Sequence, residues 1–146
     1  MREITKIILH NSDSDNPAHD DISVIDRWHK ERGWKGVGYH WFITSKGKLQ
    51  YGRPIGDIGS HVLGHNRDSL GICLHGRDKF HPAQFGTLRK LLESINFVIR
   101  VDKVYGHRDF DSGKTCPNFD YKTILGYDNY VEREVKVPNA LKHLLK

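Results

Sequence analysis

At 146 residues and a formal net charge of +5, the chain has the usual size of one domain and can bury a core without disulfide staples. Fourteen glycines, five prolines and 28% charged residues leave no low-complexity tract or internal repeat, so residues 1–146 are expected to form a single domain, with a charged and less readable C-terminal tail over 127–146. Two cysteines make no disulfide framework, the basic residues are scattered without a nucleic-acid reader motif, and the N-terminal apolar run is too short for a signal peptide or membrane span, so a cytoplasmically made monomer is expected.

Residues 4–9, ITKIIL, predict a buried strand that brings His10 to its mouth, where Asn11, Ser12 and Asp13 open a polar loop. A histidine there either bonds the loop or ligates a metal. Residues 20–33 predict an amphipathic helix in which Ser23 and Asp26 match a capping box, Ile25 and Trp28 share a face, and Gly33 ends the run. Residues 37–43, VGYHWFI, predict a central strand, and Lys46-Gly47 turns the chain into its hairpin partner, KLQYGR. Residues 54–66, PIGDIGSHVLGHN, read as a loop that lines a cleft and displays His61 and His65. Asp68-Ser69 then leads into a strand, LGICLHG, whose Cys73 is expected to be a buried, inert thiol.

Pro82 opens the clearest helix, running to about Arg100, with Phe85, Leu88, Leu91, Leu92, Ile95, Val98 and Ile99 on its packed face. Residues 102–105 predict a last short strand that delivers Gly106 and His107, and YKTIL a further helical stretch. Pro138 with Leu141, Leu144 and Leu145 suits either a terminal helix or a loose end. Strands alternating with helices give an α/β fold with a mixed central β-sheet flanked by helices.

The loop over 106–120, GHRDFDSGKTCPNFD, concentrates the chemistry. Pro117 disfavours helical backbone at Cys116, and Asp111-Ser112-Gly113 has turn composition, so Cys116 is expected on an arm that folds back toward His107. With His10 as a third ligand, two imidazoles and a thiolate would hold zinc and leave one position open for water, the pattern of a hydrolytic centre. Lys114 is then placed to reach an oxyanion and Tyr39 to hydrogen-bond the water or the same oxygen. Against this stand ten histidines, which make chance pairings easy, and the ordinary roles of a strand tyrosine and a solvated loop lysine.

The segments ILHNS, HKERGWKGVGYHWFI with its hairpin, GSHVLGHNRDSLGICLHG, HPAQFGTLRKLL, GHRD and KTCPNFD occur in this order. Together they resemble the type 2 N-acetylmuramoyl-L-alanine amidases, among them the amidase-type lysozymes of bacteriophages, which share a fold with animal peptidoglycan recognition proteins. The resemblance spans residues 4–125 and implies one zinc ion on His10, His107 and Cys116, with Tyr39 and Lys114 as the catalytic pair. It implies an endolysin made in the host cytoplasm that cuts the amide between N-acetylmuramic acid and L-alanine in bacterial peptidoglycan. His61 and Asn66 are implied as substrate contacts, with proton transfer an alternative for His61. Two rivals accompany this reading: a wall-binding module without chemistry, which Cys116 argues against, and a second activity as inhibitor of a phage RNA polymerase, known in a close relative.

Overall fold

Successive residues of a strand point to opposite faces, so KIILHN sends Ile7 and Leu9 one way and Ile8 and His10 the other. In the computed structural model, which describes residues 2–101 and 103–125, this segment is strand β1 (Lys6–Asn11). Then come helix α1 (Ile22–Glu31), strands β2 (Trp41–Ile43), β3 (Leu49–Tyr51) and β4 (Ser69–Leu74), helix α2 (Pro82–Val98), strand β5 (Lys103–Gly106) and the short helix α3 (Tyr121–Leu125). The strands form a five-stranded sheet in the order β3-β2-β4-β1-β5. β1 runs parallel to both β4 and β5, β2 runs parallel to β4, and the β2–β3 hairpin supplies the antiparallel pair that makes the sheet mixed. The anticipated terminal helix at 138–145 lies outside the described residues.

The register sorts the two faces. Ile7 and Leu9 of β1, Trp41 and Ile43 of β2, and Leu70, Ile72 and Leu74 of β4 pack against Leu88, Leu91, Leu92 and Ile95 of α2 as one apolar cluster. On the opposite face Phe42 and Cys73 pack with Ile25 of α1. His10 pairs in register with Cys73, and Cys73 with Phe42, so the first histidine lies on the α1 face of the sheet, away from the main core.

Several element boundaries differ from the sequence expectation for identifiable reasons. β1 starts at Lys6 because Thr5 and Lys6 both donate to the Asp68 carbonyl before the ladder begins, and it continues through Asn11, opposite Leu74. His10 therefore lies inside the ladder, one residue short of the strand end. α1 is capped by Asp21, whose carboxylate accepts the Ser23 N–H at 2.9 Å, so Ser23 falls in the first turn and no Ser23/Asp26 capping box forms. Asp26 instead accepts the Val37 N–H at 2.8 Å and pairs with Lys30.

The central strand is shorter than VGYHWFI. Gly38 lies against the Ser60 carbonyl, where any Cβ would meet that oxygen at 2.0 Å, and the crossing loop holds residues 37–40 out of regular pairing. His40 nevertheless donates its N–H to the Gly71 carbonyl. α2 ends at Val98, which is 76% exposed, because the chain becomes extended at Ile99 and that side chain packs on the core in its place. Among the described residues no helix is long and apolar enough to cross a membrane.

Replacing Leu88, which is fully buried between α2 and the sheet, with alanine should cost about 2–5 kcal/mol through lost burial and the cavity left behind. Asp21→Ala should cost about 1 kcal/mol through loss of the α1 cap. Urea unfolding measures both, and an unchanged midpoint in Asp21→Ala would contradict the assigned cap.

Candidate metal centre and its cleft

The site is assembled where β1 and β5 end. Tyr105 of β5 pairs opposite Ile8, and two residues further His107 leaves the strand on the same face as His10; the two imidazole centroids are 4.8 Å apart. Gly106 is required by packing, since a Cβ there would stand 2.6 Å from the Tyr121 ring and 2.8 Å from Pro117. Asp109 holds the turn by accepting the Gly106 N–H at 2.8 Å and the Tyr121 hydroxyl.

Cys116 arrives on the arm anticipated from the sequence. Asp111 caps the turn by accepting the Gly113 N–H, Arg108 donates its N–H to the Cys116 carbonyl at 2.9 Å, and the Cys116–Pro117 peptide is cis. The arm is fastened to β1 by Asn11, whose side-chain NH2 donates to the Pro117 carbonyl at 2.8 Å and whose backbone N–H donates to Cys116 Sγ at 3.3 Å. Sγ then lies 3.9 Å from His10 Nδ1. Ligand atoms of His10, His107 and Cys116 all fall within 4.8 Å of one another. Together these three side chains could hold one metal ion. The donor set suits zinc, and the Asn11 N–H aimed at sulfur favours the thiolate that a metal requires.

These groups form the floor of a cleft of about 410 Å³. Tyr39 lies on it with its ring centroid 4.8 Å from that of His10, and Lys114 stands exposed at the rim. The opposite wall holds Trp28, Arg32 and Trp34, the Arg32 guanidinium lying 5.8 Å from the Trp34 ring centroid. Sequence reasoning did not single out this wall or Asn11. The pairing of an aromatic residue with arginine at the end of α1 was the available signal for the wall, whereas the role of Asn11 depends on a contact across 106 residues.

His61 also lines the cleft, but both its ring nitrogens are engaged, Nδ1 with His10 Nε2 at 2.8 Å and Nε2 with Ser69 Oγ at 3.2 Å. Asn66, expected beside it as a substrate contact, is not part of the cleft wall. Its side-chain amide oxygen accepts the N–H groups of His61 and Val62 at 2.9 and 2.8 Å, which shapes the loop that carries His61. Cys73 is fully buried beneath Tyr39, as expected, and takes no place in the cluster.

Burial dominates the electrostatics. It holds His10 well below the ordinary histidine range, with neighbouring His61 and His107 adding to the effect, and it lowers His107, helped by the Lys114 charge. Burial also pushes the Cys116 thiol up to about 11 and, with the Cys73 and Cys116 sulfurs, holds the Tyr39 phenol well above its usual value. At neutral pH the floor therefore offers neutral imidazoles and a neutral phenol. Its thiol gives up a proton only on binding a cation.

The family described as N-acetylmuramoyl-L-alanine amidase matches residues 1–119. The endolysin of Klebsiella phage KP32 is 36% identical over 129 residues, covering 83% of this chain and 85% of the relative. Among solved structures, the N-acetylmuramoyl-L-alanine amidase LysC from Clostridium intestinale superposes with a TM-score of 0.79 at 29% identity, covering 88% of this chain and 87% of LysC. Drosophila PGRP-LB gives a TM-score of 0.69 at 27% identity, with 80% and 76% covered.

The buried histidines make stability depend on pH. His29 and His40 are lowered to about 4 in the folded protein by burial, against 6.5 unfolded, so below pH 6.5 the unfolded chain takes up protons that the folded chain does not. Their contribution is complete above pH 6.5 and is lost as the pH falls toward about 4, with a slope of up to about 1.4 kcal/mol per pH unit for each. Urea midpoints of metal-free protein should fall steadily from pH 7 to pH 4. A flat profile would contradict neutral burial.

Proposed function

This chain belongs to the N-acetylmuramoyl-L-alanine amidase family, and from that premise we propose that it is a zinc-dependent endolysin. It would hydrolyse the amide between N-acetylmuramic acid and L-alanine in the peptidoglycan of the host cell wall. The observation that carries this reading is the convergence of His10, His107 and Cys116 on the floor of a cleft that Tyr39 and Lys114 also reach.

When bound, zinc would supply a Lewis acid and a water of lowered pKa. His10 and His107 are neutral and ready to ligate, while the Cys116 proton must leave, with the Asn11 N–H stabilising the resulting thiolate. A carbonyl attacked by water gains negative charge on oxygen. The Lys114 ammonium, exposed at the rim of the cleft, would offset that charge. Tyr39 stays a neutral phenol across the working pH range and so keeps a proton to donate to the same oxygen. Collapse of the adduct breaks the C–N bond as the protons of the attacking water pass to the leaving nitrogen, giving a carboxylate on the sugar's lactyl group and an ammonium on L-alanine. The aromatic and arginine wall opposite provides apolar surface and a positive charge for a peptide bearing carboxylates.

Digestion of purified peptidoglycan should release new L-alanine amino termini and no new reducing ends, and chelation should abolish release until zinc is restored. Cys116→Ser should lose zinc. Lys114→Ala and Tyr39→Phe should keep zinc and fold while turnover falls about a hundred- to a thousandfold. New reducing ends would replace the amidase with a glycosidase, and full activity in Lys114→Ala would remove that residue from the mechanism.

A further inference from the structure

We propose that Ser69 and His61 form a proton-ordering relay that holds His10 in a single tautomer, with Nε2 protonated and the Nδ1 lone pair turned toward Cys116 and His107. The relay rests on the reading of the cleft floor as a zinc site, but its geometry stands without the ion.

The direction of each hydrogen bond follows from counting protons. Ser69 Oγ lies 2.6 Å from the His65 carbonyl oxygen, which can only accept, so the single hydroxyl proton goes there. Oγ is then the acceptor for His61 Nε2 at 3.2 Å, which places the proton of a neutral His61 on Nε2 and leaves Nδ1 with a lone pair. That lone pair, 2.8 Å from His10 Nε2, accepts a proton from His10. Hence His10 Nδ1 is bare, and it is the nitrogen 3.9 Å from Cys116 Sγ. A neutral histidine free of this chain would divide between two tautomers, one of which turns an N–H at the metal position.

The surroundings fix the relay in place. Ser69 is fully buried at the start of β4, and Asn66 accepts the His61 N–H. The His61 ring lies against two glycines: a Cβ on Gly71 would meet three of its atoms at 2.9 Å, and one on Gly59 would meet it at 2.8 Å. The missing side chains of both glycines leave room for the imidazole. His61 acts through His10 and is thus a positioning residue rather than a catalytic one.

The test uses the full chain in two measurements. The ring 15N shifts of His10 in the zinc-free protein at neutral pH should show the Nε2–H tautomer alone, and a ring that carries its proton on Nδ1 or exchanges between forms would overturn the relay. In the second, zinc affinity is read by competition with a chromogenic chelator. His61→Leu, which removes the acceptor, should mix the His10 tautomers and weaken zinc binding about ten- to a hundredfold. His61→Asn, whose side-chain oxygen can stand near the place of Nδ1, should restore most of that loss. Ser69→Ala removes only one hydroxyl and should also mix the tautomers, which keeps the proposal testable if His61→Leu does not fold. A folded His61→Leu with one tautomer and undiminished zinc affinity would overturn the proposal, as would an unaltered His10 ring in Ser69→Ala. A wild-type chain with the Nε2–H tautomer that takes up no zinc would overturn the zinc reading and leave the relay standing.

Discussion

Asn11 fastens the thiol-bearing arm directly to the strand that carries His10. Its carboxamide donates to the Pro117 carbonyl and its backbone N–H to the Cys116 sulfur, so the last residue of β1 fixes the arm that carries the thiol. Cys116 is thereby referenced to the same strand as His10. His107 is referenced to it as well, through the parallel pairing of β5 with β1. All three candidate ligands hang from one buried strand, and a shift of β1 by one residue would turn His10 into the apolar core and carry the arm away.

The sheet separates stability from chemistry. Its α2 face is an apolar cluster, whereas the α1 face carries His10, the small residue Gly71 that admits His61, and Cys73 beneath Tyr39. Burial on this α1 face holds the imidazoles neutral, the state in which they ligate metals, and the same burial makes the thiol weakly acidic until a cation arrives. The cost is a fold whose buried histidines make it lose stability in acid. Residues of the opposite cleft wall come from α1 and the turn after it, so substrate-facing and ligand-bearing groups belong to separate layers.

What could be read from the sequence followed chemical type and local periodicity. The α2 stripe, the hairpin at Lys46-Gly47 and the crowded loop from Gly106 to Asp120 were all visible, because each is written in neighbouring residues. The clustering of His10 with His107 and Cys116 was an inference from residue types and family resemblance, and the geometry brings those three together. Less visible was whatever depends on register. Asn11 read as a loop opener, Ser69 as the lead-in to a strand, and Asn66 as a substrate contact, although its side-chain oxygen accepts from its own loop. His61 was recognisable as a cleft residue, but its bond to the far nitrogen of His10 spans 51 positions and leaves no local pattern. Asp21 rather than Ser23 caps α1 for a simpler reason: two adjacent cap-competent residues compete, and tertiary contacts of Asp26 remove the box partner.

The central claim is that one zinc ion is held by two imidazoles and one particular sulfur. Zinc-edge X-ray absorption of the purified chain addresses it most directly, since sulfur at about 2.3 Å and nitrogen or oxygen at about 2.0–2.2 Å are resolved as separate shells. One zinc per chain with a single sulfur neighbour is expected in the wild-type chain and in Cys73→Ser, and no bound zinc in Cys116→Ser. A wild-type chain without zinc, a second sulfur neighbour, or zinc with a sulfur shell in Cys116→Ser would contradict it.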